Sequence, residues 1–562
     1  MVKELANELK KVLAYHQATK HHMHAFARSP GYLDWATQPN PFRKYSGIET
    51  IPLVHTEPRD HPTFGTALAG SEIEAAVLTH TTISQLFCDS LAISAWKQFG
   101  SERWALRVNP SSGNLHPTEG YLVCGRITQM SDAPIVAHYA PRDHTLEKRA
   151  SLPGDIWQDL QAILPKHAFL VGLSSIHWRE AWKYGERAFR YCQHDVGHAI
   201  AAITVAAAGL GWRTTLWDEI SQEEITALLG LQHSQGVEKE VADCFLVVYP
   251  GGVEFTPAIL PDKFMQRCEE ILWQGHPNVL SPDHVKWAII DQVSAAAHKP
   301  STPGIYDTVG GAPHSKTHHR ENSFSTAPTV VSSRNGHPFT SDPPLRYVIQ
   351  QRRSAVAMDG QTVLASEQFE RILTCLQPEL NPRMFDTLPW APTVHLFLFV
   401  HRVADLNPGL YCLVRDSGQF PSLRQATRSD FRWQVVESTP NLGLYLLAAG
   451  DYRQMARSLS CNQDIASDGC FSMAMVADFA ASLARYGPWF YPRLFWECGF
   501  IGQFLYLTAE VVGLRGTGIG CFFDDPVHEL LGLHGEQYQS LYHFTVGGPV
   551  EDLRLVSLPA YG

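Results

Sequence analysis

The chain repeats a series of segments at a constant separation along its sequence. A Lys-Tyr-Gly triplet at Lys183 and an Arg-Tyr-Gly triplet at Arg485 are 302 residues apart, and the apolar stretches that follow them end at Gly211 and Gly513, again 302 residues apart. An acidic segment with a Leu-Gly-Leu pair and a strand-like run come next, reading WDEISQEEITALLGL and CFLVVYPGG in the first half and FDDPVHELLGL and YHFTVGGP in the second. Four features in one order predict two copies of one domain; two unrelated α/β domains with similar helix ends are the alternative.

The repeat and the composition together divide the chain into four parts. A stretch rich in Ser, Thr, Pro, Gly and His, which is typical of a linker, covers residues 298–344. We predict an N-terminal extension at 1–70, a first domain at 71–297 and a second domain at 345–562. Long apolar helices and short strands indicate the α+β fold class for each half. Two homologous halves are expected to pair as a pseudo-twofold dimer within the chain.

Charge and cysteine content exclude several function classes. The formal net charge of -11 argues against nucleic acid as a partner. The 11 cysteines form no CxxC pair and have no zinc-like spacing, which favours a reducing cytoplasm and predicts no metal site. The longest apolar stretches, around 199–212 and 500–514, are shorter than a membrane span. We therefore expect a cytoplasmic protein without membrane contact.

The first candidate binding segment is LRVNPSSGNLHPTEGYLV, at residues 106–123. Its Pro-Ser-Ser-Gly-Asn turn presents small side chains and free backbone N–H groups, which a flat and bulky ligand can approach closely. An ordinary polar turn is the other interpretation. The candidate binding residues here are Arg107, Pro110, Ser111, Ser112 and Asn114.

Three further segments in the second half carry candidate binding residues. VIQQRRSAVAM contains Arg352, Arg353 and Ser354, whose charges and hydroxyl suit a phosphate monoester, although a solvated Arg pair is the common alternative. VVGLRGTGIGCFFDD is a glycine-rich turn that could let backbone pass close to an aromatic ring system. VGGPVEDLRL contains Arg554, which is a candidate second cation for a phosphate; an ordinary surface arginine is the alternative. The residues selected from these last two segments are Gly518, Ile519, Gly520 and Arg554.

Taken together, these segments resemble the nitroreductase superfamily, and particularly its SagB-type dehydrogenase branch. The stretches that carry the resemblance are YHQATKHH, YLDWATQPNPFRKYSG, PSSGNLHP, KYGERAFRY and VGGPVEDLRLVSLPAY. The resemblance implies two fused nitroreductase-like, FMN-dependent domains that form an intrachain pseudo-dimer. Family members are usually homodimers with FMN at the interface. One subunit supplies the Arg-x-Ser segment and the glycine-containing turn, and the other supplies the Pro-Ser-Ser loop.

Against that family pattern, the two halves are incomplete in complementary ways. The first half keeps PSSGN and KYG, but AAVLTHTTISQLF lacks the Arg pair and GWRTTLWDE lacks the glycines. The second half keeps RRS, GTGIG and the C-terminal arginine, but LPWAPTVHLFLF replaces the Pro-Ser-Ser loop. Gln503 matches a position of the family pattern, whereas the corresponding residue of the first half, 302 positions earlier, is Ala201. Family members often carry Lys or Arg two positions after the Ser of the Arg-x-Ser segment, where this chain has Val356. We predict one FMN per chain.

The resemblance also nominates Lys183 and Tyr184 as the catalytic pair that removes a proton near the flavin, with a solvated lysine and a packing tyrosine as the alternative. The implied function is oxidation of a small molecule or a modified peptide by hydride transfer to flavin. An NAD(P)H-dependent nitro or quinone reductase and a non-catalytic flavin-binding or scaffold protein are the alternatives. NAD(P)H is thus a candidate electron donor, and oligomerisation beyond the intrachain pseudo-dimer is compatible with the sequence.

Overall fold

Each half of the chain builds one seven-stranded antiparallel sheet. The structure is a computed structural model that describes residues 2–57, 59–70, 73–302 and 342–561. In spatial order the first sheet contains Thr50–Pro52, Thr145–Ser151, Ile135–Ala140, Thr118–Cys124, Phe169–Ser175, Val241–Pro250 and Trp212–Leu216. The second contains Gln434–Val435, Leu444–Ala449, Gly409–Leu413, Val394–Val400, Phe471–Asp478, Tyr538–Gly547 and Arg515–Ile519.

Two long helices form the centre of the molecule, and we call them the first central helix (Ala188–Gly209) and the second central helix (Tyr491–Val511). Nearly every residue of both is buried, because each helix packs on its own sheet and on the other helix. They cross at two glycines that are 302 residues apart. A Cβ at Gly197 would collide with the Trp496 carbonyl, and a Cβ at Gly499 would collide with the His194 carbonyl. This reciprocal contact marks a pseudo-twofold axis between the halves.

The remaining helices lie around the two sheets, and several occur as pairs 302 residues apart. His177–Tyr184 corresponds to Phe479–Tyr486, and Gln222–Leu229 corresponds to Asp524–Leu531. The others are Val2–Ala18, Phe64–Ala69, His80–Cys88, Gly154–Ile163, Phe264–Cys268, Ala288–Ala296, Leu345–Gln351, Ser366–Thr374, Pro382–Phe385, Phe420–Ala426, Arg453–Leu459 and Ile465–Asp468.

Segments near both ends of the chain cross between the halves. The C-terminal strand Val556–Leu558 joins Ile93–Phe99 and Glu102–Arg107 in a three-stranded antiparallel sheet, so the end of the second half completes a sheet of the first. From the N-terminal helix, His16 reaches the Tyr491 hydroxyl and the Gln539 amide of the second half. Each half is therefore built partly from the other, as in an interlocked dimer.

The predicted α+β fold class, with two copies of one domain in an intrachain pseudo-dimer, is confirmed by the duplicated sheet order. Most of the predicted linker, 303–341, lies outside the described residues, and the domain boundaries stay a prediction. Among the residues that the structure describes, no helix is long and apolar enough to cross a membrane.

Candidate functional site

The Arg-Arg-Ser segment of the second half touches the backbone that precedes the Pro-Ser-Ser turn of the first half. Arg352 is buried, and its guanidinium donates to the carbonyl oxygens of Val108 at 3.1 Å and Arg107 at 2.9 Å. The same guanidinium lies over the Tyr506 ring, 5.0 Å from the ring centre. The two predicted binding segments thus meet at the interface between the halves, through residues that are 244 and 245 positions apart in sequence.

The glycine-rich segment is a strand, which corrects the expectation of a turn. Arg515–Ile519, hereafter the glycine strand, is the edge strand of the second sheet and pairs only with Tyr538–Gly547 among the described strands of that sheet. Tyr506 of the second central helix fixes it to the Arg-Arg-Ser segment, because its hydroxyl accepts from the Gly518 N–H at 2.9 Å and from the Ser354 hydroxyl at 3.1 Å. Gly518, Ile519 and Ser354 are therefore neighbours.

Glycine is required on this strand because aromatic rings lie directly against it. A Cβ at Gly518 would collide with the Tyr542 hydroxyl, and a Cβ at Gly520 would collide with the Tyr191 ring. Tyr191 belongs to the first central helix, and its hydroxyl donates to the Gly520 carbonyl at 3.2 Å. The glycines therefore make room for tyrosine side chains of the protein itself, and their approach to a flavin ring stays a prediction.

The Pro-Ser-Ser turn, residues 110–114 and hereafter the Ser-Ser loop, packs against the predicted catalytic pair. At Gly113, an added Cβ would lie 2.5 Å from the Tyr184 hydroxyl and 3.1 Å from Lys183 Nζ. Lys183 and Tyr184 are half-buried at the end of the helix His177–Tyr184, with Nζ 5.3 Å from the Tyr184 ring centre. The predicted loop and the predicted catalytic residues are therefore in contact.

Two carboxylic acids behind the Ser-Ser loop were missed by the sequence analysis. Asp195 accepts from the Ser112 N–H at 3.1 Å and from its hydroxyl at 3.3 Å, and Glu180 accepts from the Ser111 hydroxyl at 3.4 Å. Burial raises the pKa of Asp195 to about 7. Burial and then the Asp195 charge raise the pKa of Glu180 well above its ordinary value. The pair therefore holds a proton near neutral pH.

Tyr184 also stays protonated in this environment. Burial, followed by the nearby Glu180 charge, raises the pKa of its phenol well above the usual value. A signal for the acids was present in the sequence, since Asp195 is the one acidic residue of the first central helix and Glu180 lies three residues before Lys183 on a helix. Neither belonged to a recognised pattern, and so neither was selected.

Several buried polar atoms around the contact between the halves have no hydrogen-bond partner in the described part of the chain. They are Arg352 Nη1, both amide atoms of Gln503, His198 Nδ1, Asp195 Oδ2 and Glu180 Oε2. Such atoms are costly unless a ligand or water satisfies them. Donors on Arg352 and Gln503, together with the aromatic rings on the glycine strand, fit a group that has both a flat polar ring and an anion. FMN has this chemistry.

Arg353 and two cationic side chains near it extend this region. Arg353 donates to the Gln350 carbonyl at 2.7 Å and to the Ser94 carbonyl at 3.3 Å, while its N–H donates to the Glu510 carboxylate at 3.0 Å. Burial lowers the pKa of Lys97, and the charges of Arg353 and Arg515 add to that effect. Lys97 and Arg515 are thus cations close to Arg353, and the sequence analysis missed both of them.

Some predicted binding residues act differently from the expectation. The Arg107 guanidinium points into the first half, where it donates to the Thr118 carbonyl at 3.4 Å and to the Pro41 carbonyl at 2.5 Å, so only its backbone carbonyl meets Arg352. Asn114 donates to the Ala105 carbonyl at 2.9 Å.

Arg554 is exposed at the surface and is paired with Asp552 at 2.7 Å. In the described part of the chain, no hydrogen bond or ion pair joins Arg554 to Arg352, Arg353 or Ser354. The Arg554 guanidinium is instead bound by the Asp552 carboxylate. Its role as a phosphate cation stays a prediction. Pro110 is buried at the start of the Ser-Ser loop.

The pseudo-symmetric counterpart of this site, which we call the mirror site, is closed by direct contacts. Residues 386–390 precede the strand Val394–Val400 as the Ser-Ser loop precedes Thr118–Cys124. Here the Leu216 N–H donates to the Thr387 carbonyl at 2.9 Å, and the Thr214 and Thr387 hydroxyls are 2.8 Å apart. This loop is therefore hydrogen-bonded directly to the strand that corresponds to the glycine strand.

An ion pair occupies another part of the mirror site. Arg493 stands 302 residues after Tyr191 and Asp218 stands 302 residues before Gly520. Arg493 Nε donates to the Asp218 carboxylate at 2.8 Å, and both side chains are buried. In the mirror site, a buried Arg-Asp pair thus replaces the contact between Tyr191 and Gly520. The two sites therefore differ in chemistry as well as in shape.

Comparisons with known proteins show the fold of both halves and match one family model to part of the second half. A putative nitroreductase from Anabaena variabilis has a similar structure over 96% of this chain and 99% of its own, with a TM-score of 0.67 and 22% sequence identity. The Escherichia coli microcin synthetase complex with truncated pro-MccB17 is 16% identical over 42% of this chain and 79% of its own, with a TM-score of 0.27.

NADPH:FMN oxidoreductase from Vibrio harveyi, complexed with NAD+, is 17% identical over 36% of this chain and 68% of its own, with a TM-score of 0.21. No curated protein matches the chain. The model of the Nitroreductase family matches residues 349–548. The matched residues include Arg352, Arg353, the second central helix and the glycine strand. The Nitroreductase family model therefore matches part of the second half, and the predicted nitroreductase-like fold of both halves is confirmed by the Anabaena variabilis structure.

Proposed function

We propose that this chain is an FMN-dependent oxidoreductase of the SagB dehydrogenase type, which oxidises a small molecule or a modified peptide by hydride transfer. The observation that carries this proposal is the asymmetry between the two sites. One has buried donors without partners, glycines beside aromatic rings and a Ser-Ser loop packed on Lys183, whereas the mirror site is closed by hydrogen bonds and an ion pair. The cofactor and the SagB branch are inferred from the resemblance, and the family match supports only the coarser nitroreductase relationship.

The residues of both halves would hold the cofactor. Arg352 and Arg353, with Lys97 and Arg515 nearby, supply positive charge for a phosphate. Gln503 supplies amide groups for the polar edge of a ring system, and the glycines of the glycine strand leave room for a ring because they have no side chains. A bound FMN would supply the acceptor for a hydride from a substrate carbon. The chain's own contribution is then to position the substrate and to move the proton that hydride removal leaves behind.

We assign proton removal to Lys183 and hydrogen-bond donation to Tyr184. The raised pKa of the Tyr184 phenol keeps it protonated, so it can orient a substrate atom but is a poor base. Lys183 is adjacent to it and close to the Ser-Ser loop. Glu180 and Asp195, held by the Ser111 and Ser112 hydroxyls, provide a buried store for a proton beside that lysine. A proton taken up by Lys183 therefore has a short path away from the substrate.

Cofactor stoichiometry tests the proposed single site. We expect about one FMN per chain when the flavin absorbance of the purified protein, saturated with FMN and freed of excess, is divided by the protein concentration. The reason is that the mirror loop is bonded to its strand through Thr387 and Leu216, which leaves a second flavin no space. A ratio near two would reject the single-site proposal, and a ratio near zero after saturation would reject FMN binding.

Replacement of Lys183 tests the catalytic assignment. We expect Lys183→Ala to retain FMN and to lower turnover with a competent substrate by roughly 100-fold or more, since a positioned acid or base contributes about 10²–10⁴-fold. Arg485→Ala is the matched control, because Arg485 is the residue 302 positions later and stands over Tyr486 as Lys183 stands over Tyr184. Equal turnover in the Lys183→Ala variant and the unmodified protein would remove Lys183 from the mechanism.

The direction of electron flow is tested by anaerobic reduction of the bound flavin. If the protein is a dehydrogenase, its substrate is expected to bleach the flavin absorbance, followed by stopped flow. Bleaching of the flavin by NAD(P)H would favour the nitro or quinone reductase alternative. An FMN complex that neither donor reduces would favour a non-catalytic flavin-binding protein.

A further inference from the structure

A pair of cysteines next to the glycine strand forms a second reactive group that the proposed flavin chemistry does not use. Cys521 follows directly after Gly520, and Cys461 follows the helix Arg453–Leu459. Their Sγ atoms lie 2.8 Å apart, and both side chains are half-buried. Cys461 and the following Asn462 both have positive φ, at 54° and 59°. This uncommon backbone geometry for residues other than glycine places the Cys461 thiol against Cys521.

The surroundings of Cys521 stabilise a thiolate. The hydrogen bond with Cys461 lowers the pKa of the Cys521 thiol, and the hydrogen bond with His21 and the charge of Arg187 lower it further. Burial lowers the pKa of His21, so its ring is neutral. His21 Nδ1 accepts from the Ala27 N–H at 2.9 Å, which leaves the ring proton on Nε2, free to donate to a thiolate.

The other cysteines lack this environment. Of the 11 free cysteines, seven are buried, and only Cys88, Cys375, Cys461 and Cys521 are partly exposed. Burial raises the pKa of Cys88 and of Cys375 to about 12, which keeps both as thiols at neutral pH. Because the thiolate is the reactive form of cysteine, Cys521 is set apart from every other cysteine of the chain by its chemistry as well as by its neighbour.

We propose that Cys461 and Cys521 are a redox-active dithiol that low-molecular-weight disulfides oxidise to an intramolecular disulfide. The Cys521 thiolate attacks one sulfur of the small disulfide, forms a mixed disulfide and expels one thiolate. The Cys461 thiol then loses its proton and attacks Cys521 Sγ, which forms the Cys461–Cys521 bond and expels the second thiolate. The protein gives up two electrons and the Cys461 proton, and the two expelled thiolates become thiols with that proton and one from water.

The pair adjoins the proposed flavin site through one residue. The Gly520 carbonyl, one position before Cys521, accepts from Tyr191 and, at 3.3 Å, from Arg187. The dithiol chemistry itself requires only the two sulfurs, His21 and Arg187. It can therefore hold or fail independently of FMN binding, and its test uses thiol chemistry alone.

Oxidation of the purified protein with glutathione disulfide at neutral pH tests the proposal. We expect the intact mass to fall by two hydrogen atoms and peptide mapping to show a Cys461–Cys521 cross-link that dithiothreitol reverses. Cys461→Ser is expected to stop at a glutathione adduct on Cys521, and Cys521→Ser is expected to form neither adduct nor cross-link. Cys375→Ser is the matched control and should oxidise as the unmodified protein does.

Alkylation of the reduced protein gives a second measurement that needs no variant. Brief treatment with iodoacetamide at neutral pH is expected to label Cys521 at least about tenfold faster than Cys88 or Cys375, because only the thiolate reacts appreciably. Full exposure to glutathione disulfide without a Cys461–Cys521 cross-link would overturn the proposal. Labelling of Cys521 no faster than Cys375 would overturn the assignment of Cys521 as the attacking sulfur.

Discussion

Replacing Asp524 with alanine is expected to destabilise the folded chain by about 3–5 kcal/mol, the usual cost of removing one partner from a buried ion pair. Asp524 is fully buried in the second half, and it accepts from Arg187 at 2.9 Å and Arg190 at 2.8 Å of the first half. It also accepts from the His21 N–H at 2.9 Å. Its loss would leave two buried guanidinium groups without their counter-charge.

Urea or guanidinium unfolding followed by circular dichroism measures this effect. Asp430→Ala is the matched control, because the exposed Asp430 pairs only with the nearby Arg428 among the described residues, and solvent screens such a surface pair so that it contributes little to stability. If the Asp524→Ala variant unfolds at the same denaturant concentration as the Asp430→Ala variant, the network does not hold the halves together.

The same network predicts a dependence on acid. Burial alone would raise the pKa of Asp524, but the charges of Arg187 and Arg190 outweigh that effect and hold the pKa well below its ordinary value. The folded-state pKa is thus lower than the unfolded one, so this contribution to stability is complete above about pH 4 and is lost as the pH falls below it. The Asp524→Ala variant should lack this part of the acid sensitivity.

Replacing Arg352 with methionine is expected to weaken FMN binding by about 100-fold, since a hydrogen bond to a charged group contributes about 1.5–3 kcal/mol. Arg352 is buried beside Tyr506 with Nη1 unpartnered in the described part of the chain. Methionine keeps the apolar stem against the ring while it removes every donor. Flavin fluorescence titration gives the dissociation constants of the two proteins.

Arg383→Met separates cofactor binding from packing between the halves. Arg383 also donates to carbonyl oxygens of the first half, to Gly70 at 3.1 Å and to Trp212 at 3.3 Å, but it does so beside the mirror site. We expect this control to bind FMN like the unmodified protein. Equal weakening of FMN binding in both variants would mean that Arg352 supports the interface and does not contact the cofactor.

The sequence was sufficient to predict the fold because the fold is repeated. Apolar helices of similar length, with triplets and Leu-Gly-Leu pairs at a constant offset, predict paired elements without any knowledge of contacts. It was also sufficient to bring together the Ser-Ser loop, Lys183 and the Arg-Arg-Ser segment, since the family resemblance supplies the pairing between halves. The identity of the glycine strand was missed because three glycines in six residues are typical of a turn, while pairing with Tyr538–Gly547 decides otherwise.

The sequence does not predict the direction or the burial of individual side chains. Nothing local distinguishes the Arg107 guanidinium, which turns inward to Thr118, from that of Arg352, which crosses to the other half. The proton-holding role of Glu180 and Asp195 depends on their burial beside the Ser-Ser loop. The closure of the mirror site depends on Thr387 meeting Thr214, two residues in different halves with no pattern in common.

The glycine crossing of the central helices has a consequence for how the two sites diverged. In a homodimer every substitution appears in both subunits, so a residue that improves one site also alters its symmetric copy. Here the backbone contact at Gly197 and Gly499 keeps the symmetric arrangement, while the covalent fusion allows each half to change alone. The fused chain also always pairs unlike halves, so an asymmetric enzyme is made from one gene product without the mispaired combinations that two separate subunits would form.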